Sequence, residues 1–92
     1  MPEPAPVLVG KKPVFSYVLA ALTQFQNGND QVVLKARGRA IAKAVDVAQI
    51  LTNRFEQLKI KVSKIDIGTE QLKNPETGQV SNVSTIEITV TK

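Results

Sequence analysis

The 92-residue sequence contains no cysteine, no histidine and no tryptophan. Without cysteine the chain has no disulfide, thiolate nucleophile or cysteine metal ligand. Without histidine it lacks the commonest general base and the commonest transition-metal ligand. A catalytic triad and a zinc hydrolase site therefore have little support. We expect no catalytic residue, no metal and no cofactor, and the absence of cysteine fits a protein of the cytoplasm.

Long hydrophobic runs and aromatic side chains are also scarce. No apolar run approaches the roughly 20 residues that span a bilayer, so we expect no membrane partner. The aromatic residues all fall in helical patterns, whereas a stacking platform for single strands needs exposed aromatics on a strand. We expect Phe15 and Phe25 to lie in the core, and Phe55 to be buried or to contact another protomer. The aromatic residues are Phe15, Tyr17, Phe25 and Phe55.

Positive charge is the main compositional excess. Lysine and arginine outnumber aspartate and glutamate by 12 to 8, which gives a net charge of +4. Residues 11–54 contain seven basic and only two acidic residues, so the charge is concentrated in the first part of the chain. This distribution indicates an acidic partner, such as nucleic acid.

Length and apolar periodicity predict one domain over residues 7–92, preceded by a flexible, proline-rich segment over residues 1–6. The predicted element order is β-α-β-α-β-β. A break in the alternation at Ser63-Lys64 predicts a β-bulge in the third strand. The turn signal at residues 74–78 predicts a long hairpin over residues 69–82, between the last two strands. The predicted elements cover residues 7–9, 13–26, 32–34, 40–55, 60–67 and 85–91.

Two short basic segments each follow a predicted strand and precede a predicted helix. The first basic corner is Gly10-Lys11-Lys12-Pro13, and the second is Lys35-Ala36-Arg37-Gly38-Arg39-Ala40. Glycine permits turn dihedrals, a helix N-terminus attracts anions, and arginine presents forked donors that match phosphate. If the first two strands are parallel neighbours, both corners lie at one edge of the sheet. We therefore predict a shared phosphate-binding surface.

The corners favour a polynucleotide backbone over a mononucleotide. Neither corner matches a phosphate-binding loop of nucleotide hydrolases or a dinucleotide fingerprint. An enzyme or sensor that uses the two corners to bind a nucleotide remains an alternative from another functional class. Saturable binding of a mononucleotide would distinguish that alternative.

Several segments resemble the Alba family, the small basic chromatin proteins of archaea. These segments are 10–14, 17–22, 35–41, 43–46, 53–55 and 84–88. The resemblance implies an α/β two-layer sandwich with two helices on a four-stranded mixed sheet. It also implies a non-catalytic homodimer that coats chromosomal double-stranded DNA without strong sequence preference and binds RNA. A mainly RNA-directed protein, either an RNA chaperone or a ribonucleoprotein subunit, is the principal alternative, and a heterodimer with a paralogue is also open.

The resemblance also implies roles for individual residues. The nucleic-acid-binding set is Lys11, Lys12, Arg37, Arg39 and Lys43. Within this set Lys11 corresponds to the acetylated lysine, which implies acetylating and deacetylating enzymes as partners. Acetylation would remove one positive charge and weaken the attraction for phosphate.

Two further features concern packing on DNA and the hairpin arm. The resemblance implies that Phe55, beside Arg54, contacts the neighbouring dimer along DNA. Relatives often continue with an apolar residue and proline, whereas this chain has Glu56-Gln57. Relatives often have an arginine-bearing hairpin arm, whereas this arm presents Gln79 and Asn82. We therefore expect the arm to contribute shape and hydrogen bonds more than charge.

Overall fold

The structure is a computed structural model that describes residues 5–92. Its elements are β1 (Val7–Leu8), α1 (Val14–Gln26), β2 (Gln31–Arg37), α2 (Ala40–Arg54), a short 3₁₀ turn (Glu56–Leu58), β3 (Lys61–Lys73) and β4 (Val80–Thr91). The predicted order is confirmed. Of the proline-rich segment predicted over residues 1–6, residues 1–4 lie outside the described residues, and Ala5 and Pro6 are exposed.

The four strands form one mixed sheet in the order β1-β2-β4-β3. β1 runs parallel to β2, with Val7 opposite Leu34, and the other two pairings are antiparallel. Both helices pack on one face, which we call the helix face. Among residues 5–92 no helix covers the opposite face, which we call the open face. The two-layer α/β sandwich implied by the family resemblance is therefore confirmed.

The core lies between the two helices and the helix face. In β2, and in β4 from Ile86 onwards, every second residue is buried, as a strand with one covered face requires. The uninterrupted apolar run at Val32–Leu34 predicts a strand that is covered on both sides or set between neighbours, and β2 does lie between β1 and β4, with Val33 half-buried on the open face. Within residues 5–92 no polar or charged residue is buried.

α1 buries one stripe through Val18, Ala21 and Phe25 and ends at Asn27. Gly28, with φ of 97°, then reverses the chain in a conformation that favours glycine. The prediction that Phe15 belongs to the core is wrong, since 51% of this residue is exposed. At 100° per residue Phe15 lies roughly 90° around α1 from the centre of the buried stripe.

α2 covers the remainder of the core. Its buried residues include Ala44, Ala48 and Leu51, as the helical spacing predicts. Ile41 and Phe55 are half-buried at the two ends of the same stripe. The length and the buried side of α2 were therefore predictable from apolar periodicity.

β3 and β4 form a hairpin that is longer than its apolar residues alone predict. Val62 pairs with Val90 and Lys64 pairs with Thr89, so Ser63 is the extra residue of the predicted β-bulge. Beyond the body the strands continue to a turn at residues 74–78, and the molecule measures 50 Å along its longest axis and 28 Å along the next. The projecting hairpin is thus confirmed.

The helix face of β3 carries an exposed apolar row. Val62, Ile65 and Ile67 pair with the buried residues Val90, Ile88 and Ile86 of β4, which places them on the same side of the sheet. They are nevertheless 40%, 58% and 83% exposed, because β3 is the edge strand and the helices do not cover it. Periodicity alone predicts that apolar residues on one face of a strand are buried, and this row departs most from that expectation.

We expect Leu51→Ala to lower the free energy of unfolding by about 2–5 kcal/mol, because it leaves a cavity at a fully buried helical position. Leu19→Ala in α1 is the matched control: Leu19 is 54% exposed, so its loss is expected to cost about 1 kcal/mol or less. Urea denaturation at one fixed protein concentration measures both values. Equal losses for the two variants would contradict this description of the core.

Candidate nucleic-acid interface

The first basic corner, Gly10–Pro13, is held in shape by Tyr17. The backbone N–H groups of Gly10 and Lys12 both donate hydrogen bonds of 2.9 Å to the Tyr17 hydroxyl oxygen. Tyr17 itself is buried on the first turns of α1. These two amides are therefore already engaged, and the corner offers the side chains of Lys11 and Lys12, which are exposed, as its groups for an anion.

The second basic corner turns tightly between β2 and α2. Gly38 has φ of 58°, in the left-handed region that L side chains rarely adopt. Its N–H donates to the Ser84 carbonyl at 2.9 Å, and a Cβ at this position would lie 3.4 Å from Val83 Cγ1. The glycine therefore lets the turn pack against β4 and brings Arg39 to the start of α2.

Both helix N-termini at this edge lack side-chain caps. Pro13 precedes α1 and Arg39 precedes α2, and neither makes a capping hydrogen bond. No acidic residue stands in the first turn of either helix. Because the N-terminal end of a helix carries partial positive charge, both ends add to the positive potential of the corners.

Lys43 contacts the first corner from α2. From the first turn of this helix its Nζ donates to the carbonyl oxygens of Gly10, at 2.9 Å, and Lys12, at 2.8 Å. The Val9 N–H also donates to the Lys35 carbonyl oxygen at 2.8 Å, so the chain segments that lead into the two corners lie side by side, as predicted. The Lys43 ammonium, grouped by resemblance with the nucleic-acid-binding cations, points at the backbone of the first corner.

The two arginines of the second corner have different surroundings. Arg37 Nη1 lies 2.8 Å from Glu70 Oε1 on β3. Arg39 is exposed and, within residues 5–92, has no carboxylate within ion-pair distance; the same holds for Lys11 and Lys12. Three of the predicted cations therefore remain available to an external anion.

The remaining ion pairs lie on the open face. Lys35 Nζ is 2.9 Å from Glu87 Oε1, and Lys64 Nζ is 3.4 Å from Asp66 Oδ2. Their side chains are each 43–68% exposed. Negative charge balances positive charge across this face. The edge of the sheet that carries the two basic corners, which we call the corner edge, differs in this respect.

The hairpin arm is polar at its tip. Asn74 Oδ1 accepts the N–H of Glu76, and the Asn74 carbonyl accepts the N–H of Gly78, which has φ of 75°. Gln79 and Asn82 are exposed. The arm therefore presents hydrogen-bonding groups. The positive charge of Lys73 is offset by the negative charges of Glu70 and Glu76.

Phe55 lies immediately after the last turn of α2, beside the exposed Arg54. It is half-buried and packs against the edge of the core. Part of the ring is thus packed within the protomer and part is exposed, and the contact with another protomer stays a prediction.

Sequence reasoning missed two residues of the site. The sequence pattern places Tyr17 only in a helix, although a buried tyrosine hydroxyl generally needs a hydrogen-bond partner. No motif in the sequence singles out Glu70, whereas the structure pairs it with Arg37. Both contacts join residues that are distant in sequence or lie in different elements, so residue spacing could not reveal them.

The described part of the chain has neither a cluster of metal ligands nor a membrane-spanning helix. Residues 5–92 contain no group of three or more acidic side chains that could hold a metal ion. Over the same residues, no helix is both long enough and apolar enough to cross a membrane.

Comparison with known proteins shows similarity to the Alba family. The model of the Alba family matches residues 6–69. The chain is also similar to the solved structure of Alba from Thermoplasma volcanium, with 46% identity and a TM-score of 0.86, over 96% of this chain and all of that one. ALBA1 from Trypanosoma brucei matches with 31% identity and a TM-score of 0.74, over 95% of this chain and 68% of that one.

We expect Tyr17→Phe to speed amide hydrogen exchange at Gly10 and Lys12, because both N–H groups lose their acceptor. The free energy of unfolding should fall by about 1 kcal/mol. Thr23→Val is a suitable control, since it removes a hydroxyl on α1 that bonds only the Leu19 carbonyl. Unchanged exchange at Gly10 and Lys12 in Tyr17→Phe would show that the hydroxyl does not hold the corner.

Proposed function

The chain belongs to the Alba family of nucleic-acid-binding proteins, and on this premise we propose that it binds double-stranded DNA without strong sequence preference, as a non-catalytic homodimer that coats chromosomal DNA and also binds RNA. The observation that carries the proposal is the corner edge. There Lys11, Lys12 and Arg39 stand exposed, without carboxylate partners among residues 5–92 and beside two uncapped helix N-termini.

Phosphate recognition at this edge is electrostatic. Each lysine or arginine that meets a phosphate releases a condensed counterion from the duplex, and this release favours binding. Phosphate contacts position a protein on DNA but carry no base information. Lysine and arginine side chains at the ends of rigid elements therefore support binding that depends little on sequence.

Lys43 stabilises the first basic corner. Its hydrogen bonds to the Gly10 and Lys12 carbonyls hold the first corner against α2. Its positive charge also remains close to any phosphate bound there. We assign Lys43 to the nucleic-acid-binding set for both reasons.

The exposed apolar row of β3 supports the homodimer. Val62, Ile65 and Ile67 form a stripe on an uncovered sheet edge, an arrangement that marks an interaction surface. Val45, which is 39% exposed, lies on the side of α2 opposite Lys43 and extends the apolar area away from the corners. A second copy that covers this row would leave both corner edges of the dimer open.

Contacts between dimers are assigned to Phe55 and Arg54. The outward part of the half-buried Phe55 ring offers a small apolar contact, and the neighbouring Arg54 is exposed. Glu56 and Gln57 follow directly and are exposed as well. They replace the apolar continuation common in relatives, so we expect only weak cooperativity along DNA.

Acetylation would act at Lys11, whose exposed side chain is accessible to an acetylating or deacetylating enzyme. The modification removes one charge from the corner edge of each protomer and thereby weakens binding to phosphate. We place the protein on the chromosome in the cytoplasm. A paralogue that presents a similar apolar edge would allow a heterodimer in place of the homodimer.

We expect log K for duplex DNA to fall with log salt concentration with a slope of about −5, for a dimer that neutralises about six phosphates. Lys11→Ala/Lys12→Ala should weaken binding to all duplex sequences alike, by about tenfold or more at 0.1 M salt, and make the slope shallower by about 2–4. Fluorescence anisotropy over a salt series measures both quantities.

The control is Lys61→Ala/Lys92→Ala, which removes the same charge at the opposite end of the sheet. It should change affinity much less. A slope near zero for the unmodified chain, or equal losses in the two double variants, would contradict the assignment of the corner edge. The same titration with structured RNA of matched length tests the alternative, because tighter binding to RNA would make RNA the main target.

We expect Ile65→Asp/Ile67→Asp to convert the dimer into a folded monomer, since the charges would be buried in the apolar interface. Leu8→Asp, at a position 70% exposed on β1, should leave the dimer intact. Sedimentation velocity measures the mass of each. A monomeric unmodified chain, or a dimer that survives the double substitution, would contradict the proposed interface.

A further inference from the structure

The Arg37–Glu70 ion pair spans the open face from β2 to β3. Arg37 is in register with Thr85 of β4, and Thr85 is in register with Gly68 of β3. Glu70 follows Gly68 by two residues and therefore lies on the same face. The arginine side chain thus passes over β4 to reach a carboxylate at the base of the hairpin arm, 33 positions along the chain.

Gly68 keeps this path open. A Cβ at Gly68 would lie 3.2 Å from Thr85 Oγ1, closer than most real Cβ contacts. Gly68 does not have a positive φ, so its backbone conformation does not require glycine. A residue without a side chain beside Thr85 leaves a groove on the open face that Arg37 and Glu70 both line.

The pair is positioned for exchange with an external anion. The two side chains are 57% and 47% exposed, and ion pairs in such solvent-exposed positions are weak. Phosphate presents the same forked acceptor geometry to a guanidinium as a carboxylate does. Arg37 stands one residue before Gly38, so a phosphate at the second basic corner and Glu70 are rival partners for one guanidinium group.

We propose that Glu70 is an internal competitor of nucleic acid, a carboxylate that occupies Arg37 in the unbound protein and must be displaced by a phosphate on binding. Glu70 thereby sets the affinity of the corner edge and connects the hairpin arm to it. Arg39, Lys11 and Lys12 have no such competitor among residues 5–92. The inference rests on the proposed function, because it concerns how that surface is tuned.

The first test is Glu70→Gln, which keeps the size of the side chain and removes its charge. We expect duplex DNA to bind about 2–5-fold more tightly per protomer at 0.1 M salt, the range of a weak exposed ion pair. Glu76→Gln is the matched control: it makes the same change of charge in the same hairpin, at an exposed residue that pairs with no cation among residues 5–92. Equal gains in the two variants would overturn the proposal.

The decisive test adds Arg37→Ala to each background. If Glu70 and phosphate compete for Arg37, removing the arginine costs more affinity in Glu70→Gln than in the unmodified chain, by about the 2–5-fold that Glu70→Gln gained. In Glu76→Gln the cost should equal that in the unmodified chain. An equal cost in all three backgrounds would show that Glu70 acts only through net charge and would overturn the proposal.

A failure of the competitor proposal can be distinguished from a failure of the proposed function. If the unmodified chain binds DNA with a steep salt dependence and responds to Lys11→Ala/Lys12→Ala, the proposed function holds, and the Glu70 series tests the competitor alone. If the unmodified chain does not bind, both proposals fail. Thermal unfolding of every variant confirms that the affinities compare folded proteins.

Discussion

The parallel pairing of β1 with β2 is the constraint on which the site depends. β1 has only two residues, yet its register with Leu34 and Lys35 brings the end of β1 beside the end of β2. Two loops that are more than twenty residues apart in sequence consequently meet at one edge. Lys43 of α2 then holds the first loop through the carbonyls of Gly10 and Lys12.

At the corner edge a hydrogen-bonded backbone carries exposed, positively charged side chains. Tyr17 and Lys43 satisfy backbone donors and acceptors of the first corner, so the loop is held while its lysine side chains extend into solvent. Gly38 holds the second corner through its turn conformation and through its N–H, which donates to the Ser84 carbonyl. Ordered backbone and solvated lysine side chains suit a partner whose phosphates repeat regularly and whose bases vary.

Charge balance distinguishes the faces of the molecule. On the open face lysines and arginine are matched by carboxylates, whereas the corner edge has an excess of cations. Arg37 lies at the boundary between the two. Its ion pair with Glu70 connects β2 to β3 there. The apolar row of β3 lies on the other side of the sheet.

The sequence by itself determined the element order, the buried stripe of α2, the bulge at Ser63 and the two basic corners, because these depend on local periodicity and turn chemistry. The resemblance to the Alba family added the expectation of a mixed sheet. Only the tertiary structure decided the exposure of Phe15 and of the β3 row, since exposure depends on where the helices end over the sheet. It alone also decided the partners of Tyr17, Lys43 and Arg37, because hydrogen bonds and ion pairs between elements depend on packing geometry that no local pattern encodes.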